Sequence, residues 1–170
     1  RTNVFMMKEN QDIYKDKYDT YRPLIEKALD KLYEIDSDLL LMENSIGIEK
    51  HVGERAIVFR FGLYFQQELD KYRDFDNFNL DCEYNRDGFD VKTIRIKDRI
   101  YPDMILHQRG NNINNLLVLE FKGWWNENQD YDKMKISEMI DKNNQYRYKE
   151  GYTVLLGKHR KEAKVEPVEL

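Results

Sequence analysis

The stretch Leu116-Leu117-Val118-Leu119-Glu120-Phe121-Lys122 decides how the chain is read. Four consecutive apolar residues indicate a strand covered on both faces, yet the run ends in a carboxylate and an ammonium two residues apart. Side chains alternate across a strand, so Glu120 and Lys122 point to the same side. Charges at the end of a buried strand need partners. The preceding apolar run, Tyr101-Pro102-Asp103-Met104-Ile105-Leu106, supplies a second carboxylate. A proline before Asp103 fits a strand start, edge or bulge, where regular pairing is interrupted. The turn Arg109-Gly110-Asn111-Asn112 lets the two runs lie antiparallel. Asp103, Glu120 and Lys122 then converge at one end of a sheet. Carboxylate oxygens are the ligands magnesium prefers, and the ion keeps several waters, one of which becomes a better nucleophile. A neighbouring ammonium orients that water or offsets charge building on phosphorus. Phosphodiester hydrolysis needs these parts.

Outward from this strand, the apolar period assigns the other elements. Over residues 12–44, Leu24, Ala28, Leu32 and Ile35 recur at three and four, with Pro23 suited to a first turn. This predicts a helix broken near Asp36-Ser37-Asp38. A second helix is expected over residues 53–72, where Ile57, Phe61, Tyr64 and Phe65 form an apolar stripe. Residues 79–84, 100–107 and 116–122 are short apolar or alternating runs separated by turn residues, and they predict a three-stranded meander. A third helix is expected over 131–144, with Met134, Ile136, Met139 and Ile140 at helical spacing. A last strand over 152–156 follows Gly151. The order helix, three strands, helix, strand predicts an α/β fold whose mixed four-stranded sheet is flanked by helices. Its last strand is expected parallel to the third through a right-handed helical crossover.

Length and composition narrow the function classes. A chain of 170 residues accommodates one domain with a full core plus a helical extension, and the expected division is 1–46 for the extension and 47–170 for the domain. With 41% hydrophobic and 35% charged residues, the chain is too apolar for a disordered polymer and too charged for a membrane one. No apolar run approaches the roughly 18 to 20 residues of a transmembrane helix, so no membrane partner is expected. Arg1 stands where a full-length chain would carry Met, and the residues after it show no basic-then-apolar signal pattern. The single cysteine, Cys82, excludes an internal disulfide framework and a cysteine-based zinc cluster, and it fits a reducing cytoplasm. Acidic residues outnumber basic ones 32 to 28, so any nucleic-acid contact must come from a local patch. No Gly-rich, Lys-ending nucleotide loop is present, which assigns any ATP-driven partner to another chain.

Pro102-Asp103 and Glu120-Phe121-Lys122 resemble the two half-motifs of the PD-(D/E)XK nuclease superfamily, the restriction-endonuclease-like fold. The resemblance extends over residues 54–156, because that family's core is also αβββαβ. It implies a nuclease that hydrolyses phosphodiester bonds with Mg2+ or Mn2+, on DNA sooner than RNA. It implies Asp103 and Glu120 as the main metal ligands, the carbonyl of Phe121 as a further ligand, and Lys122 as the catalytic lysine. Glu54, in the first core helix, stands where many members carry an additional acidic residue at the metal. A carboxylate in a first helical turn also serves the helix dipole, so Glu54 has two readings.

The remaining candidates lie on the substrate side. Arg109 follows His107 near the hairpin turn and is expected to touch phosphate, although turn chemistry also accounts for an Arg-Gly pair. Gln145 and Arg147 belong to a locally basic end of the chain, and several members of the superfamily place a glutamine or basic residue on the second core helix, facing the site. Glu83 either adds a carboxylate or is salt-bridged. Trp124 and Trp125 either stack on bases or cap a core. His51 and His159 show no ligand spacing. The competing function is a non-catalytic nucleic-acid- or protein-interaction module that keeps the nuclease fold. In either case the N-terminal helices are the expected surface for a homodimer or a protein partner.

Overall fold

The computed structural model describes residues 19–94, 98–126 and 128–170, together with the strands Val4–Met6 and Asp12–Tyr14. Helix α1 (Arg22–Ile35) starts with Pro23 in its first turn and buries Leu24, Ile25, Ala28, Leu29, Leu32 and Tyr33 along one face. It ends at Asp36, where a separate single turn, Ser37–Leu40, begins at the expected break. Helix α2 (Glu54–Leu69) buries Ile57, Val58, Phe61, Tyr64, Phe65 and Leu69.

Five strands form the main sheet: β1 (Asn79–Cys82), β2 (Met104–His107), β3 (Leu117–Gly123), β4 (Glu150–Leu156) and β5 (Lys164–Pro167). Their order across the sheet follows their order in the chain. The first three form an antiparallel meander, with Met104 opposite Leu119 in the β2–β3 ladder and Cys82 opposite Met104 in the β1–β2 ladder. Helix α3 (Asp130–Ile140) then carries the chain back, so that β4 runs parallel to β3 with Glu120 opposite Thr153. The expected meander, crossover helix and parallel return strand are all present.

Several boundaries differ from expectation. Residues 12–44 are not one broken helix: Asp12–Tyr14 pairs antiparallel with Val4–Met6, and Met42–Glu43 pairs with Glu49–Lys50. Residues 15–18 of that expected span lie outside the described residues. The sheet has five strands rather than four, because Lys164–Pro167 pairs with β4 along its free edge. Only Val165 of this strand is buried, so its apolar signal is minimal beside the surrounding charges. Strand β1 stops at Cys82 because Glu83 adopts φ 49°, a left-handed conformation incompatible with a continuing strand. Strand β2 begins only at Met104, after the proline that cannot donate to a ladder. Between them the chain makes two small ladders, Arg86–Asp87 with Asp90–Val91 and Thr93–Ile94 with Asp98–Arg99.

The continuous apolar run of β3 is explained by cores on both faces of the sheet. Leu117, Leu119 and Phe121 pack with the buried faces of α1 and α2, whereas Val118 packs with Ile136 and Met139 of α3 and with Ile105 of β2. Helix α1 shares its core with α2, β3 and β4, so hydrophobic packing is continuous across residue 46. Among the described residues, no helix is long and apolar enough to cross a membrane.

Candidate functional site

Alternation along β3 sends Glu120 and Lys122 to the same face as Val118, the face covered by α3. Asp103 immediately precedes β2 and shares the parity of Ile105, so its carboxylate reaches this face too. The register places it beside Glu120, one step beyond the Met104–Leu119 pair. The two carboxyl groups come within hydrogen-bonding reach of each other. Asp103 Oδ2 also accepts a 2.7 Å hydrogen bond from the Phe121 N–H. Asp103 precedes the regular ladder; its carbonyl accepts from the Glu83 N–H at 3.3 Å, and its side chain binds the Phe121 backbone.

Helix α3 brings two residues that the sequence reading did not single out. Lys135 Nζ lies 2.8 Å from Glu120 Oε2 and 3.4 Å from Asp132 Oδ1. Lys122 Nζ lies 2.6 Å from Asp132 Oδ2. Asp132 therefore bridges both lysines, and Glu120 is paired through one oxygen only. Its other oxygen, Oε1, is buried without a hydrogen-bond partner among the described residues. A signal for these residues existed in the sequence: Asp132, Lys135, Ile136 and Met139 recur at three and four and form the buried face of α3. The expectation was built on Met134 and Ile140 as well, which are only half-buried, and so missed the polar start of that face.

Glu54, the first residue of α2, approaches the end of β3 from the opposite side of the sheet. Its Oε2 accepts a 3.0 Å hydrogen bond from the Gly123 N–H. It is close enough to Asp103, Lys122 and Asp132 for all three charges to act on it. Glu83 lies at the margin, in a cavity of about 140 Å³ lined by Glu54, Arg55, Val58, Phe59, Cys82 and Asp103. Arg55 Nε holds Glu83 at 2.8 Å, which is the salt-bridged alternative.

The electrostatics follow from burial and crowding. Glu120, 1% exposed, has its pKa raised well above the ordinary value, first by burial and then by the adjacent Asp103 charge. Burial also raises Asp103, with partial relief from the Phe121 N–H, and it raises Glu54 despite the Gly123 N–H. Burial opposes the charge on Lys122 and on Lys135. The Asp132 carboxylate outweighs it for the first and Glu120 for the second, so both titrate above their ordinary value. Lys122 is accordingly an ammonium at neutral pH, a hydrogen-bond donor and point charge rather than a base. The four carboxylates and two ammoniums leave a formal charge of −2, which one divalent cation offsets.

The substrate-side candidates are not gathered here. Arg109 lies beyond the other end of β2, where its Nε donates to Asp81 Oδ2 at 2.8 Å. The same carboxylate contacts His107 Nε2 at 2.9 Å. Gln145 and Arg147 follow the far end of α3 and flank Tyr146, whose carbonyl binds Asn115 just before β3 begins. Gln145 lines a separate cavity with Thr93, Ser137 and Asp141. Trp124 donates its indole N–H to the Leu40 carbonyl at 2.9 Å, and Trp125 stacks on His51 with ring centroids 3.5 Å apart. The pair caps the end of the α1–α2 core beside Gly123.

Among the described residues, no group of three or more His, Cys, Asp or Glu side chains is arranged to hold a metal ion. The two adjoining carboxylates of Asp103 and Glu120 form a smaller donor set, all of it oxygen. Comparison with known proteins adds no relative: no family model matches the chain, and no curated protein and no solved structure matches it either.

Proposed function

We propose that the chain is a metal-dependent nuclease of the PD-(D/E)XK type, hydrolysing phosphodiester bonds of DNA in preference to RNA. The observation that carries this reading is the pair of adjoining carboxylates, buried Glu120 and half-buried Asp103, with Glu120 Oε1 lacking a hydrogen-bond partner among the described residues and Lys122 on the same face. Burying two like charges together is unfavourable unless a cation joins them. The donor set fits Mg2+ or Mn2+: magnesium is commonly held by one or two carboxylates while retaining several waters, so a third side-chain ligand is not required. Asp103 and Glu120 would hold the ion, with the Phe121 carbonyl as a further oxygen. The bound ion supplies charge stabilisation and an acidified water.

The chain's own residues do the rest. Asp132 holds the Lys122 ammonium at the edge of the carboxylate pair, where it can donate to the attacking water or to a phosphate oxygen as negative charge grows there. Glu54, fixed by Gly123, adds negative charge beside Lys122. A second reading, a non-catalytic interaction module, is favoured by the Lys135–Glu120 pair, which makes the carboxylates tolerable without any metal.

Magnesium-dependent degradation of linear, circular, single-stranded and branched DNA, and of RNA, separates the two readings. The nuclease reading expects cleavage, its loss together with metal binding in Asp103→Ala, and about a hundredfold slower cleavage in Lys122→Ala with manganese affinity nearly intact. No cleavage of any substrate with magnesium or manganese would leave the interaction module as the better reading.

A further inference from the structure

Lys135 is a charged residue that the nuclease reading leaves without a task. Its side chain is about 10% exposed, and it lies between Glu120 Oε2 at 2.8 Å and Asp132 Oδ1 at 3.4 Å. We propose that Lys135 is a built-in counter-ion of the metal centre. Its ammonium neutralises Glu120 while no divalent cation is bound, and it is displaced from Glu120 toward Asp132 when one binds.

This inference rests on the metal reading above, and three observations support it. The ammonium and a divalent cation compete for the same carboxylate, because a magnesium ligand lies only about 2.1 Å from the ion. An ammonium at hydrogen-bond distance from Glu120 would then face a doubly charged neighbour among largely buried side chains, where like charges repel strongly. Asp132 sits one helical turn before Lys135 and already touches its ammonium, so the displaced group keeps a carboxylate partner. The ring of Tyr131, itself half exposed, lies 5.4 Å from the ammonium on the same helix and offers a second resting place toward solvent. The pairing is also incomplete in the way a displaceable counter-ion requires. Lys135 engages only Oε2 of Glu120, while Oε1 is buried without a hydrogen-bond partner among the described residues.

Manganese binding to the full chain, followed by the loss of the free Mn2+ electron paramagnetic resonance signal, tests the displacement. Lys135→Met removes the competing charge and keeps the aliphatic stem. It should tighten manganese binding at least about tenfold and lower the metal-free melting temperature, with added Mn2+ restoring it. A folded Lys135→Met variant that binds manganese no more tightly than the native chain overturns the proposal while leaving the metal centre standing. If neither chain binds manganese, the metal reading fails and the counter-ion role fails with it. Should the variant not fold, the native chain decides. Acetylation of Lys135 by an amine-reactive ester, read by peptide mass spectrometry, should rise several-fold in saturating Mg2+ as the ammonium leaves Glu120. Unchanged acetylation under conditions where Mn2+ is bound would refute displacement.

Discussion

At the scale of single residues, the arrangement turns on Asp103, which carries a charge without a lysine of its own. Lys135 pairs with Glu120 and Lys122 with Asp132, whereas the Asp103 carboxylate accepts from the Phe121 N–H and adjoins the Glu120 carboxyl. Its folded pKa is raised, chiefly by burial, so the folded state holds a proton that the unfolded chain has already released. A raised carboxylate pKa lowers stability as pH climbs from the ordinary carboxylate range through the folded value, and costs nothing below that range. Asp103→Asn keeps an oxygen for the Phe121 N–H and removes the charge. Metal-free Asp103→Asn should therefore melt a few degrees above the native chain at pH 7 to 8, and the gain should vanish toward pH 4. Thermal melts across this range provide the check, and a variant less stable at every pH would show that Asp103 is a structural ion-pair partner. Glu83 and Arg147 are the non-glycine residues at positive φ among those described, and Glu83 stands at the margin of the candidate site.

The elements position these residues through two contacts, one on each face of the sheet. Helix α2 delivers Glu54 to the end of β3, and α3 delivers Asp132 and Lys135 to Glu120. The second contact depends on Gly151 in β4, where an added Cβ would come within 2.3 Å of Ile136 Cγ2 and 3.1 Å of Ile140 Cγ2. That glycine allows α3 to sit close on the β3–β4 ladder. Gly151→Ala should push the helix outward and destabilise the fold by about 1–3 kcal/mol, measured by urea unfolding. The same displacement should weaken the Lys135–Glu120 pair. An alanine variant as stable as the native chain would mean that α3 shifts freely on the sheet, and the geometry at Glu120 would not be set by this packing.

For the whole molecule, metal binding and folding are linked. Asp103 precedes β2, Glu120 lies on β3, Glu54 begins α2 and Lys135 belongs to α3, so the set exists only when all four elements are assembled. A cation that binds only the folded chain should stabilise it by about 2.7 kcal/mol at a hundred times its dissociation constant. For a chain of this size that raises the melting temperature by roughly 6–10 °C. Differential scanning calorimetry with Mn2+ should show this shift in the native chain and not in Asp103→Ala. No shift at saturating metal in the native chain would count against a built site.

The order of elements around β3 and the shared side of Glu120 and Lys122 are legible in the residues alone. Both follow from periodicity: a buried strand shows its full apolar run, and alternation assigns the charges to a face. The helix–strand–helix–strand order was legible because long apolar stripes such as Ile57-Phe61-Phe65 survive any tertiary context. The edge strand Lys164–Pro167 was not legible, since an edge strand with one buried residue has almost no apolar pattern and is held mainly by backbone hydrogen bonds to β4. Arg109, Gln145 and Arg147 have the charge or polarity a substrate contact needs, but strand length carries Arg109 to the far end of β2, and α3 carries Gln145 and Arg147 away from Glu120. That Lys135 and Asp132 share the pocket follows from packing between distant elements. A salt bridge across an element boundary depends on how closely α3 packs on the sheet, and that distance is set by Gly151 and the side chains around it, a long-range property that no local pattern encodes.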